Sequence, residues 1–366
     1  MWYKSSERLS GSMHGNRLNG IGPARSKRRW VLSIGSILLL IAGLSGWLFS
    51  EYTKVLKTPL RIGDEGVLLV VKPGMSLRGI AMELSDRDVF SHPTYLIWEA
   101  VRRGIADKIK VGEYQLSHGS TPQGLLDALV RGKVLQRTLT IIEGWNFREL
   151  MYAIRTNEYL AHTLEENLTD ETIMERVGLS GLHPEGRFFP DTYYFPRGTL
   201  DTAFLKRAYL TMEKRLAEAW AQRAGKLPYR TPSEALTLAS IIEKETGKPE
   251  ERTRIAGVFV RRLQQGIRLQ SDPTVIYGMG KSFTGNIRRT DIKNPTPYNT
   301  YTEHGLPPTP IAMPGGAAIY AALHPAVGDD LFFVAKGDGS HQFSATFKEH
   351  KRAVTRYQLR RKPGGK

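Results

Sequence analysis

Two glutamates, Glu243 and Glu245, end an otherwise apolar stretch that runs Ala235-Leu236-Thr237-Leu238-Ala239-Ser240-Ile241-Ile242. A carboxylate beside Ala239, Ile241 and Ile242 is costly to desolvate while charged. If it is buried its pKa rises, and a carboxyl group that keeps its proton near neutral pH can serve as a general acid. The stretch reads as a helix with clear punctuation: Thr231 as N-cap, Pro232 in the first turn, Glu234 completing a capping box and Gly247 as the stop. At ~100° per residue, Glu243 falls about 20° from Leu236 and about 40° from Ala239, while Glu245 lies about 200° from Glu243, beside Leu238. One cleft can therefore use only one of them directly. Periodicity does not choose between them, although the small Ala239 and Ser240 near Glu243 leave room for a substrate. For either residue the bland alternative is a surface glutamate paired with a neighbour such as Lys244 or Lys248.

Two later segments carry groups suited to sugars. Gln270, Ser271 and Asp272 precede Pro273 and could present amide, hydroxyl and carboxylate on a turn, with Asp272 biased toward an extended backbone. Tyr277 follows, and then Tyr298-Asn299-Thr300-Tyr301 opens a proline-rich stretch to Ile311. Aromatic faces stack on sugar rings while amides bond the hydroxyls; a rigid structural loop is the competing explanation. The segment from Glu185 to Tyr194, with Asp191, reads as irregular, aromatic and acidic. Other chemistries find little support. The nine histidines include no His-Glu-x-x-His, so no metal is expected, and there are no cysteines for thiol chemistry. Gly278-Met279-Gly280-Lys281-Ser282 mimics a phosphate loop, but Val275 stands where that pattern needs its first glycine, so it reads as a turn.

The elements that must position these residues point to an α+β protein. Val67 to Val71 reads as a strand, Ser76 caps a helix through Leu84, Pro93 to Arg103 forms another, and Gly112 to Leu116 a second strand. A helix from Thr121 to Gly132 and a strand from Val134 to Ile142 follow. Residues 143–230 read as mainly helical, with Asn146 capping one helix and Asp201 preceding another from Thr202 to about Ala224. Beyond Gly247 a helix carries Ile255, Val258, Phe259 and Leu263, and the chain after Leu269 is rich in loops. Leu331 to Ala335 reads as a strand that Phe343 to Phe347 could pair with.

The chain has 366 residues, 40% hydrophobic and 24% charged, with a net charge of +16. That charge sits at the ends: Lys4, Arg8, Arg17, Arg25, Lys27, Arg28 and Arg29 against Glu7, and a similar basic run from Lys348 to Lys366. The body between is nearly balanced, so a groove for a phosphate backbone, and nucleic acid as a partner, are not indicated. From Trp30 to Ser50 no residue is charged, a run able to cross ~30 Å of hydrocarbon as a helix. Trp30, Trp47 and Tyr52 mark its edges, and the basic residues before it place the N-terminus in the cytoplasm. With no small-x-small cleavage site after the run, a retained single-pass anchor is expected rather than a cleaved signal peptide.

Several of these segments carry a resemblance. Val71-x-Pro73-Gly74-x-Ser76-Leu77-x-x-Ile80-Ala81 resembles the opening of a LysM module, a small βααβ unit that binds N-acetylated glycans. More broadly, Ala239 to Thr246, Leu269 to Gly278, Tyr298 to Ile311 and Met313-Pro314-Gly315, in that order, resemble the endolytic murein transglycosylases of the YceG-like family. Met313 departs from the pattern, where asparagine or another small polar residue is expected. The resemblance spans about residues 30–350.

Together with the charge and hydropathy pattern, it gives the expected organisation: a cytoplasmic tail at 1–29, a transmembrane helix at 30–50, a linker at 51–65, a LysM-like subdomain at 66–142, a mixed α+β catalytic domain at 143–350 and a basic tail at 351–366. It also implies Glu243 as the catalytic acid and a supporting, non-catalytic role for Glu245. Candidates for holding the sugar are Gln270, Asp272, Tyr277, Asn299 and Tyr301, with Glu185 and Asp191 shaping the cleft or fixing a loop. The implied partners are peptidoglycan glycan strands, the bacterial inner membrane, from which the catalytic domain faces the periplasm or cell exterior, and a penicillin-binding synthase; no cofactor is implied. The competing functions are a hydrolytic muramidase with Glu185, Asp191 or Asp272 as base, and a non-catalytic wall-binding scaffold.

Overall fold

The computed structural model describes residues 24–359. The tail expected at 1–29 lies outside the described residues as far as residue 23, and the basic tail expected at 351–366 lies outside them from residue 360. The described chain is a mixed α+β protein whose strands form four two-stranded sheets. It divides into two compact units, one comprising residues up to 68, 73–110 and 116–132, and the other residues 69–72, 111–115 and 133 onward.

In the first unit, α1 (Ala24–Lys57) contains the uncharged run. Ser33–Lys57 is long and apolar enough to cross a membrane, and Leu39, Leu40 and Trp47 on it are exposed. Its last turns are tied to the rest of the unit. Tyr52 Oη donates to Glu99 Oε2 at 2.7 Å, and the same carboxylate takes two hydrogen bonds from Arg102 at 2.7 and 2.8 Å. In chain order α2 (Leu77–Asp86) and α3 (Pro93–Arg102) follow β1 (Val67–Val71) and precede β2 (Gly112–Leu116); most of β1 and β2, which pair with each other, falls in the second unit. Ser76 caps α2 by accepting from Gly79 N–H at 3.2 Å. The helix α4 (Pro122–Arg131) is capped by Thr121 and stops at Gly132, whose φ of 72° is the left-handed conformation a glycine adopts without steric strain.

In the second unit β3 (Gln136–Thr140) pairs antiparallel with β5 (Thr192–Pro196) from Gln136 opposite Pro196 to Thr140 opposite Thr192. This ladder corrects the expectation of an irregular segment through Tyr194: Tyr193 and Phe195 alternate inward while Tyr194 faces solvent, a period-two pattern hidden by aromatic residues on both faces. Around it lie α5 (Phe147–Arg155), α6 (Asp170–Arg176) and the short parallel pair β4 (Leu160–Ala161) and β6 (Thr199–Leu200). The long α7 (Asp201–Ala221) buries Phe204, Leu205 and Ala208 in one core with Phe147, Phe188 and Phe195, and Met212 and Leu216 in a second core.

That second core is built on α8 (Pro232–Glu245), α9 (Arg252–Gln264) and α12 (Gly316–Leu323). Between them run α10 (Asp272–Met279) and α11 (Arg289–Lys293), and the chain closes with the hairpin of β7 (Phe332–Ala335) and β8 (His341–Ser344), then α13 (Phe347–Val354). Phe347 is thus helical rather than part of the strand expected at Phe343 to Phe347. Thr346 and Glu349 form a capping box there, which fixes the helix start.

Candidate active site

Every residue of α8 from Ala235 to Ile242 is buried, so this is a central helix with no solvent stripe over those turns. Its start follows the expected punctuation: Thr231 Oγ1 accepts from Glu234 N–H at 3.2 Å, and the Glu234 carboxylate accepts from Thr231 N–H at 3.0 Å. Its end does not. The helix stops at Glu245 because Thr246 turns extended, with φ −145° and ψ 134°, and offers its hydroxyl to Lys248 N–H at 3.0 Å. A β-branched residue with a local hydroxyl bond ends the helix before Gly247 is reached. The small residues Ala239 and Ser240 do not leave room for a substrate either. Both are wholly buried, and Ser240 Oγ accepts from Ile311 N–H at 2.9 Å, which clamps the 311–315 segment onto the helix.

The last turn of α8 carries Glu243 and Glu245, and they diverge as the helical geometry requires. The Glu243 side chain is 6% exposed. Its Oε2 accepts from Gly315 N–H at 2.9 Å, at the N-cap of α12, and its Oε1 accepts from Arg252 Nη2 at 3.2 Å. Burial raises its pKa above the usual carboxylate range, against the opposing pull of the Gly315 N–H and the Arg252 guanidinium. Glu143, before α5, adds a further upward push and reaches Arg252 at 3.9 Å. Glu245 points the other way and accepts from Ser271 Oγ at 2.5 Å. Burial lifts it to about 7, against the Ser271 bond.

A cavity of about 340 Å³ opens beside the last turn, lined among others by Gly144, Phe147, Glu185, Lys244, Tyr277 and Ile311. The buried acid in its lining is Glu185, 3% exposed. Glu185 accepts from the Phe147 N–H at 3.1 and 3.2 Å and from Tyr277 Oη at 3.0 Å, so it caps α5 from a distance. Burial pushes it to about 7, against these three donated bonds and one from the Gly186 N–H. The Tyr277 ring packs on Tyr298 with centroids 4.8 Å apart. Gly144 borders both regions: its carbonyl accepts from Lys244 Nζ at 3.2 Å, and it lies against the Glu243 side chain.

The other expected residues fall into a third group. Asp272 is not extended but is the first residue of α10, with Ser271 as the extended N-cap; proline is accepted there because the first turn needs no N–H partner. Asp272 Oδ1 accepts from Tyr301 Oη at 2.6 Å, and Gln270 Oε1 accepts from Arg262 at 3.3 Å. Gln270 has a φ of 54°, unusual for a residue with a side chain. Asn299 is 1% exposed, and its amide donates to the carbonyls of Asp291, Ile292 and Asn294 while its oxygen accepts from Tyr301 N–H. With all its polar capacity committed to backbone, it braces the loop. Replacing Asn299 with alanine should destabilise the fold by about 2–4 kcal/mol, as several buried backbone groups lose partners at once; a denaturant midpoint unchanged from wild type would contradict this. Asp191 is exposed, and its carboxylate accepts from the Thr192 N–H at 2.7 Å.

Arg252 and Glu143 escaped the sequence-based reasoning, and Gly315 entered it only as part of a resembling segment, with no role. Met313 explains how they meet. Its N–H donates to Trp145 O at 2.7 Å and its carbonyl accepts from Gly144 N–H at 2.9 Å, stitching the segment before α12 to the one before α5. Its side chain is fully buried, so an apolar residue here serves packing.

Comparison with known proteins bears on this arrangement. The sequence model of the YceG-like family matches residues 69–356. The endolytic murein transglycosylase of Bacillus subtilis is 30% identical over 323 residues, covering 84% of this chain and 89% of that protein. That of Streptococcus pneumoniae is 26% identical over 357 residues, covering 88% of this chain and 64% of its own length. A crystal structure of a YceG-like protein from Listeria monocytogenes superposes with a TM-score of 0.49 at 26% identity, over 79% of this chain and 99% of that one.

Proposed function

The chain belongs to the YceG-like family, and from that premise we propose that it is a membrane-anchored endolytic murein transglycosylase in which Glu243 is the catalytic acid. The observation that carries this reading is a buried carboxyl group on the last turn of α8 whose pKa burial holds up while one backbone N–H and one guanidinium fix its orientation. The bond broken is the β-1,4 link from N-acetylmuramic acid to N-acetylglucosamine. Protonated Glu243 gives its proton to the leaving oxygen as the muramoyl C1–O bond breaks. The C6 hydroxyl of the same sugar then forms the new bond to C1 and passes its proton to the Glu243 carboxylate, leaving a 1,6-anhydro end and a regenerated acid. One carboxyl group serves both steps, whereas most hydrolytic glycosidases need two at a set separation.

The cavity holding Glu185 and Tyr277 is our candidate for one end of the sugar-binding cleft, with Asp272, Tyr301 and Gln270 at the other; Glu245 supports the loop from behind through Ser271. In this reading residues 66–142 are a LysM-like glycan-binding unit, for which the strand–helix–helix–strand order and the β1–β2 pairing speak. The apolar, exposed α1 is a single-pass anchor with the catalytic domain outside the cytoplasm, and strand cleavage there terminates elongation beside a synthase.

Mass spectrometry of products from isolated glycan strands tests the reaction. The transglycosylase product lacks one water relative to a hydrolysed end. Products carrying that water would establish a muramidase, and intact strands bound without cleavage would establish a wall-binding scaffold.

A further inference from the structure

Glu143 sits where no motif places a functional residue, yet its half-exposed side chain shares Arg252 and the Gly315 corner with the buried Glu243. Its Oε2 lies 3.9 Å from Arg252 Nη2, the same nitrogen that donates to Glu243 Oε1 at 3.2 Å. A Cβ built on Gly315 would fall 1.8 Å from Glu143 Oε1 and 2.3 Å from its Cδ, so a larger residue there would push the Glu143 carboxyl out of this corner. The Arg252 side chain is 11% exposed, and no other acidic side chain pairs with it among the described residues. Two carboxylates, one arginine and the N-terminus of α12 thus meet in one charge cluster, open to solvent on the Glu143 side. The charged and polar groups facing Glu243 are Arg252 from α9, the Gly315 N–H from α12, Glu143 from the β3–α5 connection and Lys244 from α8 itself.

A buried carboxylate paired alone with an arginine is held ionised, which would disable a general acid. A second carboxylate on the same guanidinium offsets that positive charge. We propose that Glu143 is a positioning residue for the reaction: by dividing Arg252 between two carboxylates it lets Glu243 keep its orientation without being locked in the charged form. The proposal rests on the assignment of Glu243 as the acid.

The sign follows from the charges. Removing Glu143 leaves Arg252 to Glu243 alone, lowers the Glu243 pKa, and moves the alkaline limb of the pH–rate profile to lower pH, since a general acid works only while protonated. Glu143→Gln should shift that limb down by about one pH unit, the size expected when one nearby charge is neutralised. Gly315→Ala should act in the same direction, because the new methyl group displaces the flexible, half-exposed Glu143 side chain without changing any charge. The double variant Glu143→Gln/Arg252→Gln should return the limb to the wild-type position or above it.

A second readout does not need turnover. In protein labelled with ¹³C at the glutamate carboxyls, the Glu243 resonance, identified by its loss in Glu243→Gln, should titrate at lower pH in Glu143→Gln. An unchanged limb and an unchanged Glu243 titration would overturn the proposal, as would a loss of rate uniform across pH that Arg252→Gln does not reverse. If Glu243→Gln remained active, the catalytic assignment would fail while the carboxyl titration still reported whether the two glutamates are coupled.

Discussion

Glu243→Gln should lower release of anhydro-ended glycan by about 10²- to 10⁴-fold, the range typical for loss of a positioned general acid. The substitution is nearly isosteric. The amide oxygen can still accept from Gly315 N–H, and Thr231, Glu234 and Ser240 still fix α8. Stability should therefore change little, and an unaltered melting temperature beside the lost activity separates chemistry from folding. Near-wild-type release by a verified Glu243→Gln preparation would remove Glu243 from the mechanism. Glu245→Gln is the matched control. Its side chain points to Ser271 rather than to Gly315 and Arg252, so most activity should survive there.

The second large effect concerns stability and pH. Burial pushes both Glu185 and Glu245 up to about 7 in the folded chain, against 4.5 for an unperturbed side chain. Between those values the folded state binds more protons than the unfolded state, so stability falls as pH rises through that window and is fully present only below it. Each group then withholds of order 2–3 kcal/mol at pH 8 relative to pH 4.5. Glu245→Gln, which stays neutral at every pH, should raise the melting temperature at pH 8 and have little effect at pH 4.5. The amide can still accept from Ser271 Oγ. Equal effects at both pH values would mean that Glu245 is not held neutral by its surroundings. For Glu185→Gln the gain at pH 8 should be smaller, because the carboxylate that accepts from both Phe147 N–H and Tyr277 Oη is replaced by a single amide oxygen. Two buried acids that destabilise the chain at neutral pH fit a site where stability has been traded for function.

Much of this fold could be read from local pattern. Ser76, Thr121, Asn146 and Thr231 cap helices where side-chain chemistry requires it, since each bond is made within four residues. The divergence of Glu243 and Glu245 was likewise legible, because it depends only on helical pitch. The stop at Thr246, the helix at Asp272 and the strand at Thr192–Pro196 were not. In each case two local preferences conflicted, and packing or a partner strand decided between them.

The candidate site divides along the same line. Residue order alone determined which helix carries the carboxylates, that they face apart, that an uncharged N-terminal run can span a bilayer, and, through resemblance, that Glu243 is the one to test. Only the tertiary structure decided what surrounds it. Gly315 stands 72 positions from Glu243 and Glu143 lies 100 before it, and both reach it because Met313 stitches their two segments together. It also decided that Asn299 braces backbone and that Glu185 lies buried against Phe147 and Tyr277. The physical reason is one of range. Capping and periodicity act over a few residues and are written locally, whereas desolvation and charge coupling depend on which distant segments are brought into contact.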